Sequence, residues 1–201
     1  MISEGSYLTI EAAGEGFYRE KGSRFLAFAF PVSAPEEIRE ILDRLRKEYH
    51  DARHHCYAYM LGPQRKQWRA NDDGEPQGTA GKPILGQINS NELTDILVVV
   101  VRYFGGTLLG ASGLIKAYRS AAADAISNSK PVMRKVMRNM TVRFPYAAMN
   151  EVMKLLKEND DIEHREHIFD NECLIRISVP VSAEERLREK ASKIEGIVVE
   201  G

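Results

Sequence analysis

The chain has 201 residues, and its 28 basic and 29 acidic side chains give a formal net charge of −1 at pH 7, which argues against nucleic-acid binding over the whole surface and requires any basic patch to be local. Its two cysteines, Cys56 and Cys173, lie far apart without CxxC spacing, which argues against a disulfide framework and favours reduced thiols. The longest apolar run, 96-ILVVVV-101, is too short for a membrane span and the acidic N-terminus lacks a signal core, so we expect a cytoplasmic protein with no membrane partner.

Strands and helices alternate through the first part of the chain. The expected strands are residues 24–32, 54–61, 66–72, 95–104 and 131–138. The expected helices are residues 33–50, 79–92 and 111–128. In the first helix, Ser33 and Glu36 have the spacing of a capping box. Strand 95–104 is apolar almost throughout, so we expect it to be buried on both faces in the middle of a sheet, which strand 131–138 closes.

The last part of the chain has a different pattern. From about Met140 the order becomes strand, helix, strand, strand, helix, strand within about sixty residues, which is the order of a ferredoxin-like domain. The two middle strands are expected to form a hairpin across Asp170 and Asn171. The sequence therefore predicts an α+β protein with two domains, residues 1–138 and 139–201.

A glycine-dense bend, 105-GGTLLGAS-112, joins the apolar strand to the helix that follows it. Aligned with the P-loop pattern GxxxxGK[ST], the bend has Ala111 where the phosphate-binding lysine is required, and the G-x-G spacing of a Rossmann loop is absent. The bend still has glycines that let the backbone approach a ligand, and a helix N-terminus with about half a unit of positive charge. Lys116 and Arg119 lie on that helix, and Arg102 precedes the bend.

Two interpretations of the bend stay open. In the first, the backbone amides of the bend bind an anion together with Arg102 and the helix cations. In the second, Gly105 and Gly106 form only a tight turn, and Arg102 pairs with a nearby carboxylate. The second interpretation rests on the unfavourable energy of an isolated charge at the end of an apolar strand.

An acidic tract, 72-DDGEPQGTAGKP-83, precedes the second expected helix. Its paired carboxylates, Asp72, Asp73 and Glu75, are of the kind that hold magnesium or act as acid and base. The spacing does not match an EF-hand loop, and a turn with a helix cap at Gly78 and Thr79 is the alternative. We expect neither a bound metal nor a cofactor.

The segment 50-HDARHHC-56 gathers three histidines and a cysteine. A zinc site needs a tetrahedral set of ligands, whereas His54 and His55 are expected to point to opposite faces of a strand. A structural or surface role is therefore favoured, and Arg53, His54 and His55, which open a strand, are expected at the rim of a cleft. Cys56 as a nucleophile requires a base that the sequence does not identify, so no catalytic residue is assigned.

Three blocks together resemble the IMPACT family, in the form of its bacterial YigZ-type members. The blocks are 53-RHHCYAYML-61, 72-DDGEPQGTAGKPILGQI-88 and 95-DILVVVVRYFGGTLLGASGLIKAYRSAA-122. The resemblance extends from about Gly16 onward, and the order of three long blocks makes it specific. It implies an N-terminal domain of the left-handed βαβ type, shared with a ribosomal small-subunit protein and with domain IV of elongation factor G. It also implies a C-terminal ferredoxin-like domain similar to the last domain of that factor.

The resemblance also implies which positions form the family's motifs, although it assigns none of them a chemical role. These positions are Arg53, His54, Asp72, Asp73, Gly74, Glu75, Gly78, Thr79, Lys82, Arg102, Tyr103, Gly105, Gly106, Gly110, Gly113 and Lys116. The family is described as translation regulators, with suspected nucleic-acid or ribosome binding and no established catalysis. Its eukaryotic members restrain an initiation-factor kinase through an additional N-terminal domain. Because this chain begins almost directly at the common block, we do not expect that role here.

Our first hypothesis is therefore a translation regulator that binds RNA or the ribosome, with translation-associated proteins as further partners. The phosphate contacts would come from the bend amides and from Lys82, Arg102, Lys116 and Arg119, with Tyr103 or Phe104 stacking on a base. A basic strand formed by Arg134, Lys135 and Arg138 would extend this surface. The second hypothesis is a phosphate-handling enzyme with the acidic tract as base or magnesium ligands, and the third is a protein-interaction module without nucleic-acid binding.

Overall fold

The computed structural model describes residues 5–158, 161–169 and 173–201. The described chain forms two compact units, Tyr7–Arg134 and Lys135–Gly201, the second of which includes the residues just before Tyr7. Each unit has hydrophobic core residues of its own. The predicted domain boundary between residues 138 and 139 stays a prediction.

The first unit contains three helices and most of the strands. Its helices are α1 Pro35–Glu48, α2 Gly81–Ser90 and α3 Gly110–Ser127. Its strands are β1 Ser6–Ala12, β2 Gly14–Glu20, β3 Ser23–Pro31, β4 His54–Leu61, β5 Gln67–Asn71, β6 Ile96–Tyr103 and β7 Lys130–Lys135. The predicted helices and the predicted strand pair β4 and β5 are confirmed.

A five-stranded sheet in the order β2-β3-β6-β4-β5 forms the centre of the first unit, and each pair of neighbours is antiparallel. Alternate residues of β6 point to opposite faces. Val98 and Val100 pack in the core that contains α2 and α3, whereas Val99 and Val101 pack in the core that contains α1. The predicted burial of this strand on both faces is therefore confirmed.

Two parts of the first unit differ from the prediction. The strand expected to close the main sheet, residues 131–138, instead contributes to β7, which pairs with β1 in a separate two-stranded sheet. Neither β1 nor the edge strand β2 was predicted, and the residues of β2 are glycine-rich and only half-buried. Its glycines let α3 approach closely: a Cβ atom added at Gly14 or Gly16 would lie 2.3 Å from the backbone of Ala125.

The start of α1 also corrects the predicted capping box. The helix begins at Pro35, with Ala34 at the N-cap position. Glu37 rather than Glu36 therefore occupies the third helical position, from which a glutamate reaches back. Its carboxylate accepts hydrogen bonds from the backbone N–H and the hydroxyl of Ser33, at 2.7 and 3.0 Å.

The second unit has the predicted order of strand, helix, strand, strand, helix, strand. Its elements are β8 Met137–Phe144, α4 Met149–Lys157, β9 Glu163–Phe169, β10 Cys173–Pro180, α5 Val181–Ala191 and β11 Val198–Glu200. The sheet order is β11-β8-β10-β9, with antiparallel neighbours. The tip of the predicted hairpin, Asp170 and Asn171, lies outside the described residues.

The two units together make a mixed α/β protein with five α-helices and several antiparallel sheets among the described residues. The more specific assignments, a left-handed βαβ domain and a ferredoxin-like domain, stay predictions. None of the described helices has the length and apolarity that crossing a membrane requires.

Candidate functional site

A cleft of about 350 Å³ lies where β6 ends and α3 begins. Arg53, His54, Glu75 and Arg102 contribute its polar lining, and Gly110 places the first turn of α3 beside them. The apolar lining includes the exposed side chains of Phe104 and Leu108, which are 47% and 83% accessible. The structure thus brings together residues from all three sequence blocks.

The buried pair of Arg102 and Glu75 dominates the polar part of the cleft. Arg102 Nη1 donates to Glu75 Oε1 at 2.6 Å, and the two side chains are only 6% and 4% exposed. Arg102 Nη2 lies 3.5 Å from Ser23 Oγ. The guanidinium charge is therefore compensated inside the protein, as in the second interpretation of the glycine bend, because a buried charge requires a partner.

Two further buried groups complete this network. Tyr118 Oη donates to Glu75 Oε1 at 2.7 Å. The Cys56 thiol donates to the Asp72 carbonyl oxygen at 3.0 Å, and its Sγ also lies 3.3 Å from Tyr118 Oη. Burial raises the pKa of both the Cys56 thiol and the Tyr118 hydroxyl. A protonated thiol is a poor nucleophile, so this environment suits a structural cysteine.

The two neighbouring histidines point to opposite faces of the sheet, as predicted. His54 Nδ1 lies 2.8 Å from the carbonyl oxygen of Asp73, and its Nε2 is 4.0 Å from Glu75 Oε1. His55 is buried on the other face, and this burial lowers its pKa even though Asp73 opposes the shift. Among the described residues, no group of three or more histidine, cysteine or acidic side chains has the arrangement of a metal site.

The acidic tract forms the loop before α2, and Asp72 caps that helix. Its carboxylate accepts hydrogen bonds from the backbone N–H groups of Gly78, Ala80 and Gly81, at 2.8, 3.0 and 2.8 Å. Burial alone would raise the pKa of Asp72, but these hydrogen bonds and the positive charge of Lys82 together lower it. The loop is therefore a turn with a helix cap, which was the alternative to a metal site. The capping side chain, however, is Asp72 and does not come from the predicted Gly78 and Thr79.

The other residues of the tract also bond within the protein. Asp73 Oδ2 accepts the backbone N–H of His55 at 2.6 Å. Thr79 Oγ1 donates to the Pro76 carbonyl at 2.6 Å. Gly74 has a φ of +86°, a left-handed conformation that favours glycine. With Glu75 paired to Arg102, the three carboxylates have structural roles, which is why they do not converge on a common metal position.

The glycine bend packs against the turn between β2 and β3. The Gly105 N–H donates to Ser23 Oγ at 3.1 Å, and a Cβ atom on Gly105 would lie 2.0 Å from the Gly22 carbonyl carbon. Gly106 and Gly110 have φ values of +85° and +71°, and a Cβ atom on Gly113 would approach Leu109 Cβ to 3.0 Å. Within the described chain, the first turn of α3 has no side-chain cap.

A second concave surface, the α2–α3 groove, has a volume of about 520 Å³. It is lined by Gly78, Lys82, Pro83, Gly86, Gln87, Ile115 and Arg119. The cations Lys82 and Arg119 are exposed, and no carboxylate of residues 5–158, 161–169 and 173–201 forms an ion pair with either of them. The sequence singled out both residues but not the groove, because nothing in the pattern places α2 beside α3.

Some of the remaining predicted cations and aromatic residues are exposed, and others are held by contacts within the protein. Arg53 is exposed. Lys116 is also exposed and lies 3.9 Å from Glu20. Tyr103 is engaged, because its hydroxyl donates to Asp51 at 2.8 Å and the Arg24 guanidinium lies 4.8 Å from its ring. In the second unit, Lys135 and Arg138 pair with carboxylates of that unit at 2.6 and 2.9 Å.

Two residues, one behind the cleft and one in its lining, were not predicted to belong to the site. Tyr118 is fully buried in the core that contains α3, yet its hydroxyl donates to Glu75. Leu108 lies within the bend, and its exposure is a property of the folded loop. A buried tyrosine hydroxyl usually has a polar partner, which was the one available signal for Tyr118.

Comparison with known proteins identifies the family. The model of the Impact N-terminal domain matches residues 21–126. IMPACT family member YvyE of Bacillus subtilis is 37% identical over 166 residues, or 83% of this chain and 76% of that protein. IMPACT family member YigZ of Escherichia coli is 36% identical over 142 residues, or 70% of each chain.

A solved structure agrees with these sequence comparisons. A crystal structure described as that of a hypothetical protein is 29% identical, covers 99% of this chain and 98% of its own, and superposes with a TM-score of 0.79. The matched segment of the family model includes all three sequence blocks, the cleft and the α2–α3 groove. On these grounds the chain belongs to the IMPACT family.

Proposed function

We propose that this protein is a translation regulator that binds single-stranded RNA, and that the α2–α3 groove supplies its phosphate contacts. Family membership supports a function of the translation-regulator type. The predicted likeness of both domains to parts of elongation factor G supports an RNA-rich partner. In this proposal the RNA phosphates contact the α2–α3 groove and do not contact Arg102.

The observation that carries this proposal is the difference in charge compensation between Arg102 and the groove cations. Arg102 is buried and paired with Glu75, so an RNA phosphate would have to displace a carboxylate to reach it. Lys82 and Arg119 line one groove and are exposed. An exposed cation without an ion-pair partner can bind a phosphate without breaking an ion pair inside the protein. The neutralisation of phosphates is the main source of RNA affinity.

The aromatic contact is assigned to Phe104. Tyr103 is half-buried and its hydroxyl is held by Asp51, so its ring is less accessible to a base. Phe104 follows it in the chain and is 47% exposed at the cleft, with the Arg102 guanidinium 5.7 Å from its ring centroid. Exposed aromatic rings together with exposed cations are the usual combination in proteins that bind single-stranded RNA.

The experiment measures the fluorescence anisotropy of a labelled oligouridylate of about twelve nucleotides against wild type and K82E/R119E. The expected result is a loss of affinity of about tenfold or more in the double variant, equal to about 1.4 kcal/mol. The matched control is R39E/K47E, which makes the same charge change at exposed positions of α1. Helix α1 packs on the opposite face of the sheet.

Three results would overturn the proposal. The first is no binding of the oligouridylate by wild type at about 50 mM salt, where phosphate contacts are strongest. The second is equal affinity of wild type and K82E/R119E. The third is an equal loss in K82E/R119E and R39E/K47E, because this would show dependence on total charge instead of on the groove.

A further inference from the structure

The polar end of the cleft contains hydrogen-bonding atoms that the protein itself does not use. The Nε atom of Arg102 is buried and has no hydrogen-bond partner in the described part of the chain. Arg102 is 5% exposed and lines the cleft. A buried donor without a partner is rare in native proteins, so this N–H is a candidate contact for a ligand.

Two acceptors belong to residues that line the same cleft as this donor. Glu75 Oε1 accepts both internal hydrogen bonds, from Arg102 and Tyr118, and no described residue donates to Oε2. The carbonyl of Asp73 can only accept, so the His54 Nδ1 that lies 2.8 Å away carries the proton. In the neutral ring His54 Nε2 then has a free lone pair, and it lies 4.0 Å from Glu75 Oε1.

The rest of the cleft has a different chemistry. Phe104, Leu108, Leu109 and Leu114 contribute apolar surface. The exposed Arg53 and the first turn of α3 lie at the same cleft. A volume of about 350 Å³ is within the range of roughly 300–1,000 Å³ that small-molecule sites have. The cleft therefore suits a flat group with a polar edge and an anion attached to it.

We propose that this cleft binds one unstacked nucleobase, with guanine preferred, through Glu75 Oε2, His54 Nε2 and the Arg102 Nε–H. This inference rests on the proposed RNA binding and gives it base specificity. Guanine has two adjacent N–H donors and a carbonyl acceptor, which match two acceptors and one donor. The ring stacks on Phe104, and the attached phosphate lies toward Arg53 and the N-terminus of α3, where backbone N–H groups attract anions.

The other bases match this set less well. Adenine has one amino group and ring acceptors, so it leaves one of the two acceptors of the cleft unpaired. Uracil has a single ring N–H. Polar groups of a site that are left unpaired by the wrong ligand are the main source of discrimination.

The experiment compares an oligouridylate of about twelve nucleotides with the same oligomer that carries one central guanosine. Wild type is expected to bind the guanosine oligomer about tenfold tighter. E75Q is expected to lose this preference, whereas R39E/K47E, which lies outside the cleft and the groove, is expected to keep it. F104A, at an exposed position, tests the same cleft if E75Q does not fold. Because Phe104 is also the stacking residue of the proposed function, the measured quantity for F104A is the ratio of the affinities for the two oligomers.

A second arm separates RNA from a free nucleotide, which has the same base chemistry. Calorimetry with guanosine monophosphate and adenosine monophosphate shows whether the cleft binds either without an RNA chain. Binding of guanosine monophosphate with no preference between the oligomers would overturn RNA as the source of the base. Equal affinity for both oligomers, without binding of either nucleotide, would overturn the base site.

The outcomes also separate this inference from the proposed function. If the oligouridylate binds and K82E/R119E weakens it, the groove proposal stands even when guanosine adds nothing. If neither oligomer binds, the proposed function fails first. A guanosine preference that persists in both E75Q and F104A would overturn the assignment to this cleft.

Discussion

The cleft and the α2–α3 groove lie in the same unit and each contain motif residues, yet the cations of the two sites have opposite environments. In the cleft, Arg102 and Glu75 are buried and neutralise each other. In the groove, Lys82 and Arg119 are exposed and form no ion pair with a described residue. A buried charge requires an internal partner, whereas an exposed charge is stabilised by solvent and stays available to a ligand. The comparison shows that a motif cation is not, by itself, evidence for an anion contact.

The largest effect is expected from breaking the charge pair of the cleft. R102M leaves the Glu75 carboxylate buried without its cation, and removal of one partner of a buried pair destabilises a protein by about 3–5 kcal/mol. Urea denaturation followed by circular dichroism measures this difference. The double variant E75L/R102M replaces both charges by apolar groups and is expected to be more stable than R102M. A loss of less than about 1 kcal/mol in R102M would show that the pair is solvated.

The second prediction compares a glycine of the bend with a glycine of the groove. G105A places a methyl group 2.0 Å from the Gly22 backbone, and such overpacking destabilises by about 1–3 kcal/mol or more. G86A is the control, because no described atom lies within 4 Å of its added Cβ and Gly86 lies inside α2. Alanine there is expected to stabilise the protein by about 0.5–1 kcal/mol. Equal thermal midpoints for the two variants would contradict this account of the bend.

The third prediction concerns the loop that orders the start of the groove. D72N weakens the cap of α2 and is expected to destabilise by about 1 kcal/mol at pH 7. Because the pKa of Asp72 is lowered in the folded protein, its contribution is present above the ordinary pKa of 3.8 and is lost as the pH falls through the lowered pKa. The gap between wild type and D72N should therefore close in acid. D43N, at an exposed position of α1, is the control and should show no such gap.

The smallest effect on stability is expected in the groove itself. K82E/R119E changes two exposed side chains without ion pairs among the described residues, so its free energy of unfolding should stay within about 0.5 kcal/mol of wild type. Urea denaturation measures this value beside R102M. A loss as large as that of R102M would show that the groove cations are structural, and the contrast between the two regions would then be wrong.

The sequence predicted the elements of the fold better than the partners of its charges. Apolar runs such as β6 have one consistent pattern, whereas β2 combines glycines with polar residues and has no clear period. From the sequence, Arg102 could either bind an anion or pair with a carboxylate. Its partner Glu75 lies 27 residues away along the chain, so the pattern of neighbouring residues does not identify the pair. Only the packing of the loop before α2 against the end of β6 decides between these alternatives.

The salt dependence of oligouridylate binding tests the central claim most directly. For single strands, each phosphate contact contributes about 0.7 to the slope of log affinity against log salt concentration. K82E/R119E should therefore reduce the magnitude of this slope by about 1.4, while R39E/K47E should leave it unchanged. The same slope in wild type and K82E/R119E would contradict the assignment of phosphate contacts to the α2–α3 groove.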